Sequence, residues 1–362
     1  MRFGMTFRAR PVIVAALGAV LLSAVMLAAC SSTSEPGSGV VDNPASGPDT
    51  VERALIDLTG TYLGFRGGLY PNASNSIPGT HLTAGLTRAN NIRPVDTKGN
   101  PVATGKYVLL SIGMSNTAKE FCGGDITTGC LSETFMGQAA VDPAVNRSTL
   151  AIVNGAQGGR DASFWTSSSS ATFDEADRRL ATLGLTPKQV EIVWLKQADA
   201  DPTKSLPDAN ADAFVLENRL ASIVRAIKIR YPNTQQVFIT SRIYAGYATS
   251  TLNPEPYAYE SGFAVKWVIQ AQIDEMDAGR IVDSRAGDLN YNSVAPWLAW
   301  GPYLWAAGMT ARSDGLVWAH ADFEVDGTHP SASARAKVGA FLLNFFKSSA
   351  TTKCWFLQGQ AC

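Results

Sequence analysis

Apolar and polar positions fall into a regular order from residue 106. Lys106-Tyr-Val-Leu-Leu-Ser-Ile-Gly113 is an apolar run of strand length with no alternation, the pattern of a strand covered on both faces. It stops at Gly113, where a tight turn is possible, and a short helix is predicted at 116–121. Ser148-Thr-Leu-Ala-Ile-Val153, Val190-Glu-Ile-Val-Trp-Leu195 and Gln236-Val-Phe-Ile-Thr240 repeat the strand pattern. Between them the period lengthens. Asp174 to Leu183 reads as a helix closed by Gly184, and 208–230 as a long one. In the long helix Leu216, Leu220, Ile223, Val224 and Ile227 share a face. Residues 256–278 and 332–347 are the last two predicted helices, each entered through a proline (Pro256, Pro330). Strands alternating with helices predict an α/β fold: a three-layer α/β/α sandwich around a mostly parallel sheet. Such a fold places ligands at the C-terminal edge of the sheet, where Ser115 falls.

The chain before 106 is less ordered. Residues 51–105 mix Gly60, Gly64, Gly67 and Gly68 with Tyr62, Phe65 and Tyr70, punctuated by Pro71-Asn72, Pro78-Gly79 and Lys98-Gly-Asn-Pro101. They read as an extension of short strands and loops packed on the main domain, 106–362. Residues 1–29 read as a targeting segment: Arg2, Arg8 and Arg10 precede an apolar stretch from Pro11 to Leu27. Leu27-Ala-Ala-Cys30 resembles the lipobox of bacterial lipoproteins. The resemblance implies cleavage before Cys30 and acylation there, which would hold the protein on a membrane. An ordinary signal peptide and a transmembrane helix are the alternative readings. Ser31, rather than Asp, follows Cys30, so the expected location is the bacterial cell envelope, at the outer membrane or cell surface. Residues 30–50, rich in Ser, Gly and Pro, read as a flexible tether.

Composition narrows the function. The chain has 362 residues, 46% hydrophobic and 17% charged, with a net charge of −1. Without residues 1–29 it keeps 27 basic against 31 acidic residues, a net of −4. No basic block occurs, so nucleic acid is not an expected partner. The three histidines, His81, His320 and His329, are scattered, and no Cys/His spacing suggests zinc. No Walker-type or Gly-x-Gly-x-x-Gly phosphate loop follows a strand, and no cofactor is implied. Besides Cys30 there are Cys122, Cys130, Cys354 and Cys362, two close pairs with the same spacing. In an exported protein the simplest connectivity is Cys122–Cys130 and Cys354–Cys362, though others are possible.

Candidate chemistry lies at the strand ends: Ser115, the Gly158-Gly159 turn, and Gln197 in Lys196-Gln-Ala-Asp199. Asp326-Gly-Thr-His329-Pro330 follows later, before the final helix. A serine hydroxyl needs an adjacent base to become a nucleophile. His329, with an ordinary pKa of about 6.5, can take that proton and return it. Asp326, three residues earlier, can fix the imidazole tautomer. In this order the blocks resemble those of the SGNH (GDSL-like) hydrolase family over about residues 106–348. The resemblance implies a flavodoxin-like sheet, a serine esterase with catalytic Ser115, His329 and Asp326, and an oxyanion hole. The hole would be formed by the Ser115 and Gly159 backbone N–H groups and the Gln197 side chain, with Gly158 as the alternative glycine. Two positions depart from the family: Met114 stands where Asp is usual, and Gln197 where Asn is usual. Asp199 either orients Gln197 or begins the following loop. His81 and His320 read as structural or rim residues.

The substrate expected from this reading is a carboxylic ester, foremost an O-acetyl or other short acyl group on a carbohydrate. A lipid ester or thioester is the alternative, as is a non-catalytic, glycan-binding envelope lipoprotein. Trp297, Trp300, Tyr303, Trp305 and Trp318 read first as core packing and second as a platform for a sugar or acyl chain. Asn253, Tyr257 and Tyr259 lie in a second stretch that could line a pocket.

Overall fold

A parallel sheet carries the site. The structure is a computed structural model and describes residues 50–124 and 129–360. The targeting segment, Cys30, the tether as far as Asp49, and Cys362 lie outside the described residues, and with Cys362 the proposed Cys354–Cys362 pair. A two-stranded ribbon, β1 (Thr61–Tyr62) and β2 (Phe65–Arg66), is followed by α1 (Gly79–Asn91). Then come β3 (Tyr107–Gly113), α2 (Ser115–Phe121), α3 (Phe135–Val141), β4 (Leu150–Asn154) and α4 (Ala171–Thr182). The chain continues through β5 (Val190–Lys196), α5 (Asp212–Arg230), β6 (Gln236–Thr240), α6 (Tyr257–Ala278) and β7 (Trp297–Trp300). It closes with α7 (Ala332–Ser348) and the short α8 (Lys353–Phe356).

The central sheet has the order β4-β3-β5-β6-β7, and all its pairings are parallel. The first strand of the sheet thus lies between the second and the third. The strand order reverses there, and the crevice at that edge is where doubly wound sheets hold ligands. Side chains alternate between two cores. Val108, Leu110 and Ile112 of β3 join Val193, Val237 and Leu298 in one, under α4, α5 and α6. Leu109, Ile192, Phe238 and Trp297 join the other, under α2, α3 and α7. Both faces are covered, which explains why the strands read as unbroken apolar runs. Among the described residues no helix is long and apolar enough to cross a membrane.

The four expected strands and the helices at 116–121, 174–183, 208–230, 256–278 and 332–347 are present within a few residues. Three elements correct the sequence reading. Residues 51–105, read as short strands and loops, contain the 13-residue helix α1. Its inward face is His81, Gly85 and Ala89, small or polar residues at i, i+4 spacing that leave no apolar stripe. The Gly85 α-carbon lies so close to Trp297 that an added Cβ would sit 2.3 Å from the indole. Helix α3, preceding β4, was not expected. Trp297-Leu-Ala-Trp300 is a fifth strand, and Trp297, Trp300, Tyr303, Trp305 and Trp318 are all buried. The aromatic cluster is therefore core, and its platform reading falls away.

Candidate active site

Ser115 leaves the sheet at the first position of α2, one residue past Met114 and two past the end of β3. The turn requires glycine at 113 because of close approach: an added Cβ would lie 2.3 Å from the Thr117 hydroxyl and 2.4 Å from the Lys196 carbonyl. Thr117 donates to that same Lys196 carbonyl at 2.7 Å, tying the serine helix to β5. Asn116, buried beside Ser115, donates its amide to the Thr328 carbonyl at 3.0 Å. The serine helix is thus joined directly to the turn that carries His329.

That turn is built locally. Asp326 Oδ1 accepts from the backbone N–H groups of Thr328 and His329, each at 2.9 Å. Gly327 has φ +63°, and a Cβ there would strike the Tyr247 carbonyl at 1.8 Å. The Asp326 side chain and His329 ring are consequently brought together, with Oδ2 2.5 Å from Nδ1. On the other side of the ring, Nε2 lies 2.8 Å from Ser115 Oγ. Burial works to raise the Asp326 carboxyl, but the His329 ring and the His329 and Thr328 N–H groups outweigh it and hold it at about 2. An ionised Asp326 accepts from Nδ1–H and leaves Nε2 as the acceptor facing the serine.

A cavity of about 210 Å³ opens beside Ser115. Met114, Gly159, Ala198, Leu252 and Thr328 give it a largely apolar wall, and Phe164 stands at its edge, 44% exposed. Gly159, not Gly158, lines it, with φ +66°. Arg160 also lines the cavity, its guanidinium 4.8 Å from the Phe164 ring centroid. Asn253 lines it as expected, whereas Tyr259 is buried in the core and Tyr257 faces a small neighbouring cavity.

Gln197 is a correction. It is fully buried and does not line the cavity; its Nε2 donates to the Arg160 carbonyl at 3.2 Å. The side chain thereby braces the loop that holds Gly159. Asp199 does not orient Gln197 either. It pairs with Arg219 at 2.7 Å, and burial pushes its carboxyl up to about 6. His320 is exposed against Tyr247. His81 is buried, its Nε2 donating to the Leu298 carbonyl at 2.7 Å, and burial pulls its pKa down to about 4.

The sequence reading missed three features. Asn116 links serine helix and histidine turn. Lys196 and Glu120 are both fully buried beneath the site, with the ammonium 2.5 and 2.6 Å from the two carboxylate oxygens. Burial works against both charges, yet this two-oxygen contact fits an ion pair. Arg242, two residues past β6, is a buried arginine on the cavity wall. A sequence signal existed for the last: an arginine at a strand end, Thr240-Ser-Arg242, where the other strand ends also carry polar groups. The disulfide Cys122–Cys130 is present, with its α-carbons 4.6 Å apart, just after α2. Among the described residues no group of three His, Cys, Asp or Glu side chains converges to hold a metal.

No family model matches this chain. No curated protein matches it either. Solved structures that resemble it include an extracellular lipase from Streptomyces rimosus, at 15% identity and TM-score 0.31, covering 66% of this chain and 98% of that one. A carbohydrate esterase family 2 enzyme with a carbohydrate-binding domain, from Corynascus (Myceliophthora fergusii), is 12% identical with TM-score 0.33 over 67% and 66% of the two chains. A two-domain esterase active on acetylated mannans is 14% identical with TM-score 0.33 over 75% and 54%. Likenesses of this size carry no argument about the present chain. What it can do has to be read from its own residues.

Proposed function

We propose that this protein is an SGNH-type serine esterase that hydrolyses a short-chain carboxylic ester. The single observation carrying this reading is the continuous contact from Asp326 through His329 to Ser115, at 2.5 and 2.8 Å, beside a cavity at the switch point of the sheet. In the proposed reaction Ser115 Oγ attacks the ester carbonyl as His329 Nε2 takes its proton. The C–O π pair moves onto oxygen, and the resulting oxyanion faces the Ser115 and Gly159 N–H groups. Collapse expels the alcohol, protonated by His329. Water, deprotonated by the same nitrogen, then releases the acid and regenerates Ser115.

The cavity's size and its Met114 and Leu252 walls support a short acyl group. Phe164 at the edge, 44% exposed, supplies an aromatic surface against which a sugar alcohol would rest. We further propose that the chain is an envelope protein anchored through acylated Cys30. Mass spectrometry of the mature protein should then find Cys30 as its acylated first residue, and an unacylated Cys30 would sink the anchor.

The test of the enzyme is hydrolysis of p-nitrophenyl acetate, butyrate and octanoate by the full chain and by Ser115→Ala. The variant should lose about 10³- to 10⁴-fold or more in kcat with its circular dichroism unchanged. A fluorophosphonate should label Ser115 in the parent protein. Equal background rates and no labelling would overturn the reading in favour of a binding protein.

A further inference from the structure

Arg242 is 2% exposed, yet it lines the same cavity as Ser115, and its Nε and Nη2 have no hydrogen-bond partner. A buried guanidinium with unfilled donors is costly, and an arginine cannot relieve the cost by losing its proton. The surrounding carboxylates are Glu120, Glu255 and Asp326. They balance its charge, but other donors occupy them. Both Glu120 oxygens hold Lys196. Glu255 accepts from the Ala245 and Tyr259 N–H groups and from Trp305 Nε1. Asp326 accepts from Thr328 and from His329 twice.

The cavity's own acids are engaged away from Arg242. Asp161 accepts from Ser163 and Ala200, and Asp199 forms an ion pair through Oδ1 with Arg219, its Oδ2 having no hydrogen-bond partner. At the mouth, Arg160 rests on Phe164, and among the described residues its guanidinium has no carboxylate partner. The cavity therefore presents two guanidinium groups, one buried and one at the rim, beside Ser115.

We infer that the ester carries a carboxylate, which Arg242 reads from within the cavity and Arg160 from its mouth. A planar guanidinium fork suits a two-oxygen acceptor, and the low-dielectric wall strengthens that contact. This inference deepens the esterase reading and rests on it for the scissile bond. The carboxylate belongs either to the acyl group, as in a half-ester of a dicarboxylic acid, or to the alcohol, as in an acylated uronic acid.

Two substrate pairs, measured with the full chain, separate these sources. p-Nitrophenyl hemisuccinate is compared with p-nitrophenyl pentanoate, and an acetylated methyl glucuronoside with its carboxylate free is compared with the acetylated methyl glucoside. In one pair the anionic ester should be preferred at least tenfold in kcat/KM. Arg242→Met should abolish the preference, read as the ratio of kcat/KM for the anionic ester to kcat/KM for its neutral partner within the same variant. Arg160→Gln, an exposed change that leaves folding intact, should reduce the preference several-fold. Hydrolysis that depends on Ser115 with no anionic preference in either pair would overturn the inference and leave the esterase standing. If no ester is cleaved and Ser115 resists the fluorophosphonate, the esterase reading fails instead. Calorimetry with succinate and glucuronate then decides: binding lost in Arg242→Met and weakened in Arg160→Gln supports a carboxylate site, and no binding to the parent protein removes it.

Discussion

At the scale of single residues, the hydrogen bonds around Asp326 do two jobs. Oδ1 shapes the turn and Oδ2 orients the imidazole. Asp326→Asn keeps an oxygen for the backbone contacts but can impose the wrong tautomer, so kcat should fall by about 10³- to 10⁴-fold with little change in melting temperature. A comparable melting loss would reassign Asp326 to a structural role. Asn116→Ala releases the turn from the serine helix; kcat should drop about tenfold while KM holds, as measured on p-nitrophenyl acetate. His81 gives a pH effect unconnected with catalysis. Its folded pKa, about 4, lies below the ordinary value near 6.5, so the unfolded chain binds more protons between these limits. Stability is full above pH 6.5 and declines as pH falls toward 4, by about 3 kcal/mol. Urea midpoints at pH 7 and 5 should separate less in His81→Gln than in the parent chain.

At the scale of elements, close approaches fix what each segment can be. Helix α1 meets β7 through Gly85 against Trp297. Gly85→Ala raises helix propensity by about 1 kcal/mol, but the forced overlap should outweigh it, for a net loss of about 1–2 kcal/mol in chemical denaturation. A stabilised variant would mean that the helix can shift freely on the sheet. The Cys122–Cys130 bond closes a short loop after α2. Replacing both cysteines by serine should cost about 2–3 kcal/mol by the chain-entropy account, read as a lower urea midpoint.

At the scale of the whole molecule, residues 51–105 and the sheet share their cores. Leu55, Leu58, Tyr62 and Tyr70 pack with β3, β5 and α6, and Trp300 donates to the Leu69 carbonyl. A chain beginning at residue 106 would expose this surface and should fail to give native near-ultraviolet dichroism. A native spectrum from it would show that the earlier segment is dispensable. The alternating-sheet reading predicted the wound core from strands and amphipathic helices, since buried parallel strands and a helical stripe are properties of local sequence. It did not reveal α1, whose inward face is small, or β7, whose four residues resemble an aromatic cluster.

The sequence by itself determined the strand-and-helix alternation, the serine at a strand end, and the Asp326-to-His329 spacing. Each follows from residue type and local periodicity. The tertiary structure alone decided that Ser115 and His329, 214 positions apart, meet at 2.8 Å, because only sheet winding sets that distance. It also turned Gln197 onto a carbonyl and left Arg242 with unfilled donors on the cavity wall. Hydrogen-bond partners of a buried polar group are chosen by whatever the fold brings within about 3 Å, and no spacing along the chain encodes that choice.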